Sequence, residues 1–164
     1  MFPDSSEHIY SARMATIIGG IDELKARVGE HLGYSGWHQV TQDQVNLFAD
    51  ATGDHQWIHV DVERARAGPF GGPIAHGYLT LSLAVPLLSE ILRVEGISMG
   101  VNYGLNKLRF PSPVPVGSNL RLGATLADVQ DVAGGAQATL NLIFEVEGKD
   151  KPVCVAEAIY RYYA

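Results

Sequence analysis

An aspartate and a histidine in the middle of the chain have the types and the spacing of an acid/base pair. Asp54 and His59 lie five positions apart, and Asp54 directly follows Gly53 in a segment that indicates a turn. A carboxylate and an imidazole placed together can take a proton from a water molecule and supply one to a substrate. The sequence therefore suggests acid/base chemistry at a carbonyl compound.

An almost wholly apolar helix candidate follows the pair. It covers residues 74–94, and its first turn would offer free backbone amides to negative charge. Pro86 leaves the carbonyl of Ser82 without its usual amide partner, so the sequence predicts a kink there. His76 precedes Gly77 at the helix start, and a structural hydrogen bond is favoured over a catalytic role for it.

Short helices with clear end signals come before the apolar segment. Thr41 and Gln44 fit a capping box for a helix over residues 42–51, and Gly53 suits the left-handed position at its end. Asp61 can cap a further short helix that a Gly-Pro pair ends. These helices must hold the aspartate and the histidine at their ends.

The second half of the chain alternates apolar and polar residues, which is the pattern of β-strands. We expect strands over residues 98–110, 119–132, 136–147 and 152–163. A proline-rich connection follows the first, and tight turns join the last three. An apolar helix must be covered on most sides, and a curved antiparallel sheet wrapped around it does so. The expected fold class is α+β, and the open edge and remaining apolar face of the sheet favour a homodimer.

The composition describes one globular domain. The chain has 164 residues, 46% hydrophobic and 18% charged, and its net charge of -6 argues against a nucleic-acid partner. We expect residues 1–20 to be a loosely ordered extension, with order beginning near Met14, and residues 21–164 to be a single domain. No signal-peptide pattern is present, and the apolar run is shorter than the ~20 residues that cross a bilayer. We therefore expect a cytoplasmic protein without a membrane span.

Thiol, metal and nucleotide sites are the rival interpretations. Cys154 is the one cysteine, which excludes a disulfide within the chain and suggests a small buried hydrophobe. His55 and His59 lie four apart, and Asp54 and His76 could add metal ligands. The stretch lacks the glutamate of a zinc-hydrolase helix, so no metal is expected. No glycine-rich phosphate loop is present either, and we expect no cofactor.

The order of the motifs resembles that of the MaoC-like hydratases, the (R)-specific enoyl-CoA hydratases of the hotdog fold. These motifs are a helix, G-D-x-x-x-x-H, the helix start P-I-A-H-G, and F-P-S-P-V-P-V-G before strands, and they cover about residues 35–164. The resemblance is to the single-domain branch like nodulation protein N. Where the family motif has Asn-Pro, this chain has Gln56 and Trp57. The glutamine keeps a side-chain amide, whereas the tryptophan would narrow or cover the pocket.

The resemblance implies addition of water to the β-carbon of a trans-2-enoyl-CoA, giving (R)-3-hydroxyacyl-CoA reversibly. Asp54 and His59 would hold the water between them, and which of the two performs each proton transfer stays open. Negative charge would build on the thioester oxygen, where the backbone N–H of Gly77 is the expected donor. The further residues expected at the substrate are Gln56, Trp57 and His76.

Two cations and two alternative functions complete the hypothesis. Lys107 and Arg109 lie two apart on a predicted strand and share a face, from which they would contact the phosphates of CoA. Solvated strand positions are an equally favoured interpretation of both.

The alternative functions are a hotdog acyl-CoA thioesterase and a non-catalytic acyl-CoA-binding subunit. An intact acid/base pair speaks against the latter, because an apolar binding site gains nothing from buried ionisable groups.

Overall fold

The computed structural model describes residues 14–164 of the chain. In chain order its elements are β1 (Thr16–Ile18), α1 (Ile21–Ala26), β2 (His31–Tyr34), β3 (His38–Gln39), α2 (Gln42–Thr52), α3 (Trp57–Val60), α4 (Val62–Arg66), α5 (Gly77–Ser82), α6 (Ala84–Ser89), β4 (Leu92–Val94), β5 (Met99–Arg109), β6 (Asn119–Val132), β7 (Gly135–Val146) and β8 (Cys154–Tyr163). None of the helices in this described part is long and apolar enough to cross a membrane.

One large sheet forms most of the structure. Its strand order is β2-β6-β7-β8-β5, with β3 also paired to β6, and all of these pairs are antiparallel. The meander β6-β7-β8 is the one that the alternating pattern predicts. Its inward side chains, such as Leu122, Leu140 and Phe144, are almost fully buried. Gly134 ends the first hairpin turn with φ 78°, a conformation that glycine adopts without strain.

The predicted helix ends are present in the segment before the site. Thr41 accepts a hydrogen bond from the Gln44 amide at 3.2 Å, and Gly53 ends α2 with φ 81°. Asp61 accepts one from the Arg64 amide at 3.0 Å and caps α4. The chain therefore leaves α2 at a defined point, immediately before the aspartate of the acid/base pair.

The central apolar segment is not the single helix expected over residues 74–94. It forms α5 and α6, which are separated at Leu83, three residues before Pro86. Proline has no amide to donate to the carbonyl of Ser82, so the helix is interrupted next to that carbonyl. The expected kink is present as a break between two short helices.

Both ends of the predicted helix are extended backbone instead. At the first end, Ile74 forms a β-bridge with Pro115, and the Ala75 amide donates to the Val114 carbonyl at 2.8 Å. At the other end β4 pairs in parallel with β1. Apolar periodicity does not distinguish a short buried strand from a buried helix, and in β4 burial alternates from residue to residue as a strand requires.

The domain begins before residue 21. Of the extension expected over residues 1–20, residues 1–13 lie outside the described part of the chain. Residues 16–18 form β1, and Ile18 is fully buried in the core. This strand therefore belongs to the domain rather than to an extension.

One apolar core lies between the large sheet and the α5–α6 segment. Leu79 and Leu87 from the helices belong to the same buried cluster as the inward residues of β6, β7 and β8. Cys154 on β8 is fully buried there as a free thiol, and burial raises its pKa to about 12. The cysteine is thus a small core residue, and the α+β class expected from the sequence is observed.

Candidate active site

Asp54 and His59 come together beside the start of α5. Asp54 is exposed in the turn after α2, whereas His59 is 6% exposed in α3. A carboxylate oxygen of Asp54 and a ring nitrogen of His59 lie within 4.8 Å, and a ring nitrogen of His76 lies within the same distance of both. A water with hydrogen bonds of about 2.8 Å bridges groups up to about 5.5 Å apart. The separation therefore fits a water held between the two side chains.

His59 is held as a neutral base in one tautomer. Its Nδ1 lies 2.6 Å from the carbonyl oxygen of Ile74. A carbonyl oxygen only accepts, so Nδ1 carries the proton and Nε2 keeps a free lone pair. Burial lowers the pKa of this imidazole, and the nearby His76 lowers it further, while the hydrogen bond to Ile74 and the charge of Asp54 raise it. The side chain is therefore able to accept a proton at neutral pH.

His76 contacts both members of the pair. Its Nε2 donates to the backbone oxygen of Asp54 at 2.9 Å, and its ring stacks on that of His59, with centroids 3.8 Å apart and planes at 26°. The residue is 3% exposed, and its Nδ1 has no hydrogen-bond partner within residues 14–164. The side chain therefore makes a hydrogen bond to the main chain, the kind of contact favoured from sequence, and its role at the substrate stays a prediction.

The same three side chains are those that could hold a metal ion. Asp54, His59 and His76 each offer one ligand atom within 4.8 Å of the others. His55 does not join them, because its Nε2 lies 2.9 Å from a carboxylate oxygen of Asp50 at the surface. The metal interpretation thus loses the pair of histidines four residues apart on which the sequence had based it.

A cavity of about 320 Å³ opens beside His59, and Asp54 is not among the residues that line it. Its polar lining comes from His59, Thr80, Ser112 and the backbone of Gly77. The rest of its wall is apolar and consists of Phe70, Ile74, Ala75, Phe110, Pro111, Pro113, Val114 and Val153. Such a cavity suits a ligand with an apolar tail and one reactive polar group.

Gly77 presents its backbone to this cavity. It is the first residue of α5, where an amide N–H has no acceptor within the helix and carries partial positive charge. A Cβ at this position would lie 2.9 Å from the ring of Phe110. Glycine is therefore required by the close contact of this aromatic ring with the helix start.

Gln56 and Trp57 lie next to the pair but outside the cavity wall. The backbone amide of Gln56 donates to the Asp54 carboxylate at 3.4 Å. The exposed side chain of Gln56 has no hydrogen bond within the described residues. The Trp57 ring contacts the Arg64 guanidinium, 4.4 Å from the ring centroid, and would contact a side chain at Gly68. The tryptophan therefore packs along α4 and is not part of the cavity wall. The sequence had suggested instead that it would narrow or cover the pocket.

Lys107 and Arg109 lie on the exposed face of β5 and line a different cavity, between β5, β7 and β8. The Nζ atom of Lys107 is 3.8 Å from the Glu157 carboxylate, and Arg109 donates to the Leu108 carbonyl at 2.7 Å. They share a face of the strand as expected. The structure does not bring them to the cavity of His59 within one chain.

The two phenylalanines of the cavity were not identified from the sequence. Phe110 stands in the F-P-S-P-V-P-V-G stretch that carries the family resemblance, and this position is the only local signal for it. Phe70 lies in a linker rich in glycine and proline. Their place in the wall depends on contacts between distant parts of the chain, which residue type and spacing do not encode.

The curved sheet around the α5–α6 segment, with an acid/base pair at the start of that segment, defines a hotdog-fold protein. The family model described as MaoC like domain matches residues 23–147. This chain belongs to that family of MaoC-like dehydratases.

Its relatives include enzymes of acyl-thioester metabolism. The 3-hydroxyacyl-thioester dehydratase Z of Mycobacterium tuberculosis (strain ATCC 25618 / H37Rv) is 56% identical over 145 residues, which cover 88% of this chain and 96% of the relative. Nodulation protein N of Rhizobium leguminosarum bv. viciae is 43% identical over 140 residues, covering 84% and 87%. Among solved structures, the (R)-hydratase from A. caviae involved in PHA biosynthesis superposes with a TM-score of 0.67 at 26% identity, covering 81% of this chain and 94% of that one.

Proposed function

We propose that this protein is an (R)-specific enoyl-CoA hydratase, a hydro-lyase that adds water reversibly to trans-2-enoyl-CoA and forms (R)-3-hydroxyacyl-CoA. Hydration and dehydration of acyl thioesters is the reaction class that the names of its relatives describe. One observation carries the proposal. A carboxylate oxygen of Asp54 lies within 4.8 Å of a ring nitrogen of His59, and His59 lines a largely apolar cavity.

The proposed reaction needs one water and no net exchange of protons with the solvent. The water oxygen forms a bond to the β-carbon of the enoyl thioester, and one water proton passes to the Asp54/His59 dyad. The dyad delivers a proton to the α-carbon and so returns to its starting protonation state. Negative charge that develops on the thioester oxygen faces the amide of Gly77, which lines the same cavity.

The direct test is hydration of a trans-2-enoyl-CoA by the wild-type protein and two variants. Asp54→Asn and His59→Ala should each lower the rate on the order of 10²-fold or more, because each removes one side of the proton relay. His55→Ala is the matched control, since this histidine lies in the same stretch but binds Asp50 at the surface. It should keep the wild-type rate.

The product identifies the reaction. Loss of the enoyl absorbance without release of free thiol supports hydration, and a chiral assay of the 3-hydroxyacyl product tests the (R) outcome. Release of free thiol would instead mean a thioesterase. Binding of acyl-CoA without turnover would mean a non-catalytic subunit, and full activity of both dyad variants would overturn the proposed site.

A homodimer is part of the proposal. β5 pairs with β8 along one edge, and no described strand pairs with its other edge. Met99, Tyr103 and Leu105 on this strand are 52%, 54% and 41% exposed. A second copy that pairs along β5 would cover both the free backbone groups and these apolar side chains.

The carrier and the location complete the proposal. We take CoA to be the carrier of the acyl group, and the contact of its phosphates with Lys107 and Arg109 stays a prediction. We also propose a cytoplasmic location, with which a single buried cysteine is compatible.

A further inference from the structure

The short stretch of residues 74–76 is bonded to both members of the acid/base pair. The carbonyl of Ile74 accepts a hydrogen bond from the His59 ring at 2.6 Å, and the Ile74 amide donates to the Ile58 carbonyl at 3.0 Å. Two residues later, His76 donates from Nε2 to the backbone oxygen of Asp54 at 2.9 Å. The positions of the aspartate and of the histidine are therefore linked through three consecutive residues.

Packing alone does not account for a histidine at position 76. The ring lies between His59, 3.8 Å away and stacked, and Phe48, whose centroid is 4.9 Å away at 52°. Because Nε2 donates to a carbonyl, Nδ1 carries the lone pair of a neutral imidazole, and it is buried without a partner in the described part of the chain. An apolar ring would fill the same space without a buried unpaired nitrogen, but it would take away the donor to the Asp54 carbonyl.

We infer that His76 is a positioning residue for the dyad, through its hydrogen bond to the main chain of Asp54. The bond holds the aspartate at the end of the turn after α2, and the stacked ring lies against His59. The carboxylate and the imidazole thereby keep a separation that one water can bridge. His76 transfers no proton in this assignment. The inference rests on the proposed function and extends it by a residue outside the dyad.

Two substitutions separate the hydrogen bond from the ring. His76→Phe keeps an aromatic ring against His59 and Phe48 but has no donor. In His76→Gln the side-chain amide nitrogen is the same number of bonds from Cα as the histidine Nε2, so the donor to Asp54 is kept without the ring. Phe48→Leu is the matched control, because it loosens the packing around the same histidine without touching the aspartate.

The kinetic result expected is a change in kcat rather than in KM. His76→Phe should lower kcat roughly 10- to 100-fold with KM within about 3-fold of the wild type, since a displaced catalytic group slows the chemical step more than it weakens binding. His76→Gln should recover most of this loss, and Phe48→Leu should keep kcat. An unchanged kcat in His76→Phe, or an equal loss in the Phe and Gln variants, would overturn the inference.

Crystal structures of the variants test the inference independently of turnover. The distance between the Asp54 carboxylate and the His59 ring should increase in His76→Phe and be kept in His76→Gln. An unchanged distance in the Phe variant contradicts the assignment of His76, whether or not the wild-type protein is active. Absence of hydratase activity in the wild-type protein would overturn only the proposed function. If His76→Phe does not fold, His76→Asn replaces it, because its shorter side chain also lacks a donor at the Nε2 position.

Discussion

At the scale of single residues, the site depends on which nitrogen of His59 carries the proton. The hydrogen bond from Nδ1 to the Ile74 carbonyl leaves Nε2 as the basic atom. Burial of the ring then disfavours the charged form. The spacing of Asp54 and His59 in the sequence predicted the pair. It did not predict the partner of Nδ1, because that partner comes from a segment fifteen residues further along the chain.

The first residue-scale prediction concerns the stability of the protein in acid. Because the pKa of His59 is lowered in the folded state from its usual 6.5, the unfolded chain binds a proton first as the pH falls. This residue therefore lowers the free energy of unfolding as the pH drops below about 6.5. Relative to the wild type, His59→Gln should be less destabilised at about pH 5.5 than at about pH 7.5. Urea denaturation of both proteins at the two pH values measures the difference, and an equal or larger loss in acid would contradict it.

A second residue-scale prediction separates two reasons for a glycine at position 77. A Cβ there would lie 2.9 Å from the Phe110 ring. In the proposed site we expect it also to obstruct a substrate oxygen at the Gly77 amide. Gly77→Ala should lower both the stability and kcat/KM, the latter on the order of 10-fold or more. Adding Phe110→Ala should relieve the clash and leave the double variant about as stable as Phe110→Ala alone.

The activity of the double variant decides whether the amide contacts the substrate. We expect kcat/KM to remain below that of Phe110→Ala alone, because the new methyl group still stands at the amide. Steady-state kinetics and thermal denaturation of the four proteins complete the cycle. Full recovery of kcat/KM would mean that glycine serves only the packing of the aromatic ring.

At the scale of elements, the structure shows which local signals were sufficient. The caps at Thr41 and Asp61 and the glycine at the end of α2 act within a few residues, and each was predicted from the sequence. The prediction of a single helix over residues 74–94 was wrong, because both ends of this segment pair with distant parts of the chain. Tertiary hydrogen bonds, such as that between Ala75 and Val114, decided the conformation of a stretch whose apolar pattern fits either structure.

An element-scale prediction concerns the pairing of β7 with β8. A Cβ at Gly135 would overlap the backbone carbonyl of Tyr162, whereas one at Gly100 would meet the ring of the same tyrosine at an ordinary 3.6 Å. Gly135→Ala should therefore lower the free energy of unfolding by about 1–3 kcal/mol, because the strand backbone has to move. Gly100→Ala is the matched control on β5 and should change it by less than about 0.5 kcal/mol. Chemical denaturation compares the two, and equal stabilities would contradict the expected clash.

At the scale of the whole molecule, the free edge of β5 is the feature that predicts assembly. Leu105 lies on this strand and is 41% exposed. If a second copy pairs here, Leu105→Arg should shift the protein from dimer to monomer, because it places a charge in a buried interface. Leu47→Arg is the matched control, since this leucine is 69% exposed on α2. Analytical ultracentrifugation measures both variants, and a monomeric wild-type protein would contradict the homodimer.

The single sulfhydryl of the chain has a further use. Cys154 opens β8, has no exposed surface and has a thiol pKa raised to about 12, so it cannot react with a water-soluble alkylating reagent while the sheet is closed. The rate at which the thiol is labelled then reports how often this end of the strand separates from its neighbours. Because Cys154 is the one cysteine of the chain, the rate of its labelling measures the opening of the sheet without an added probe.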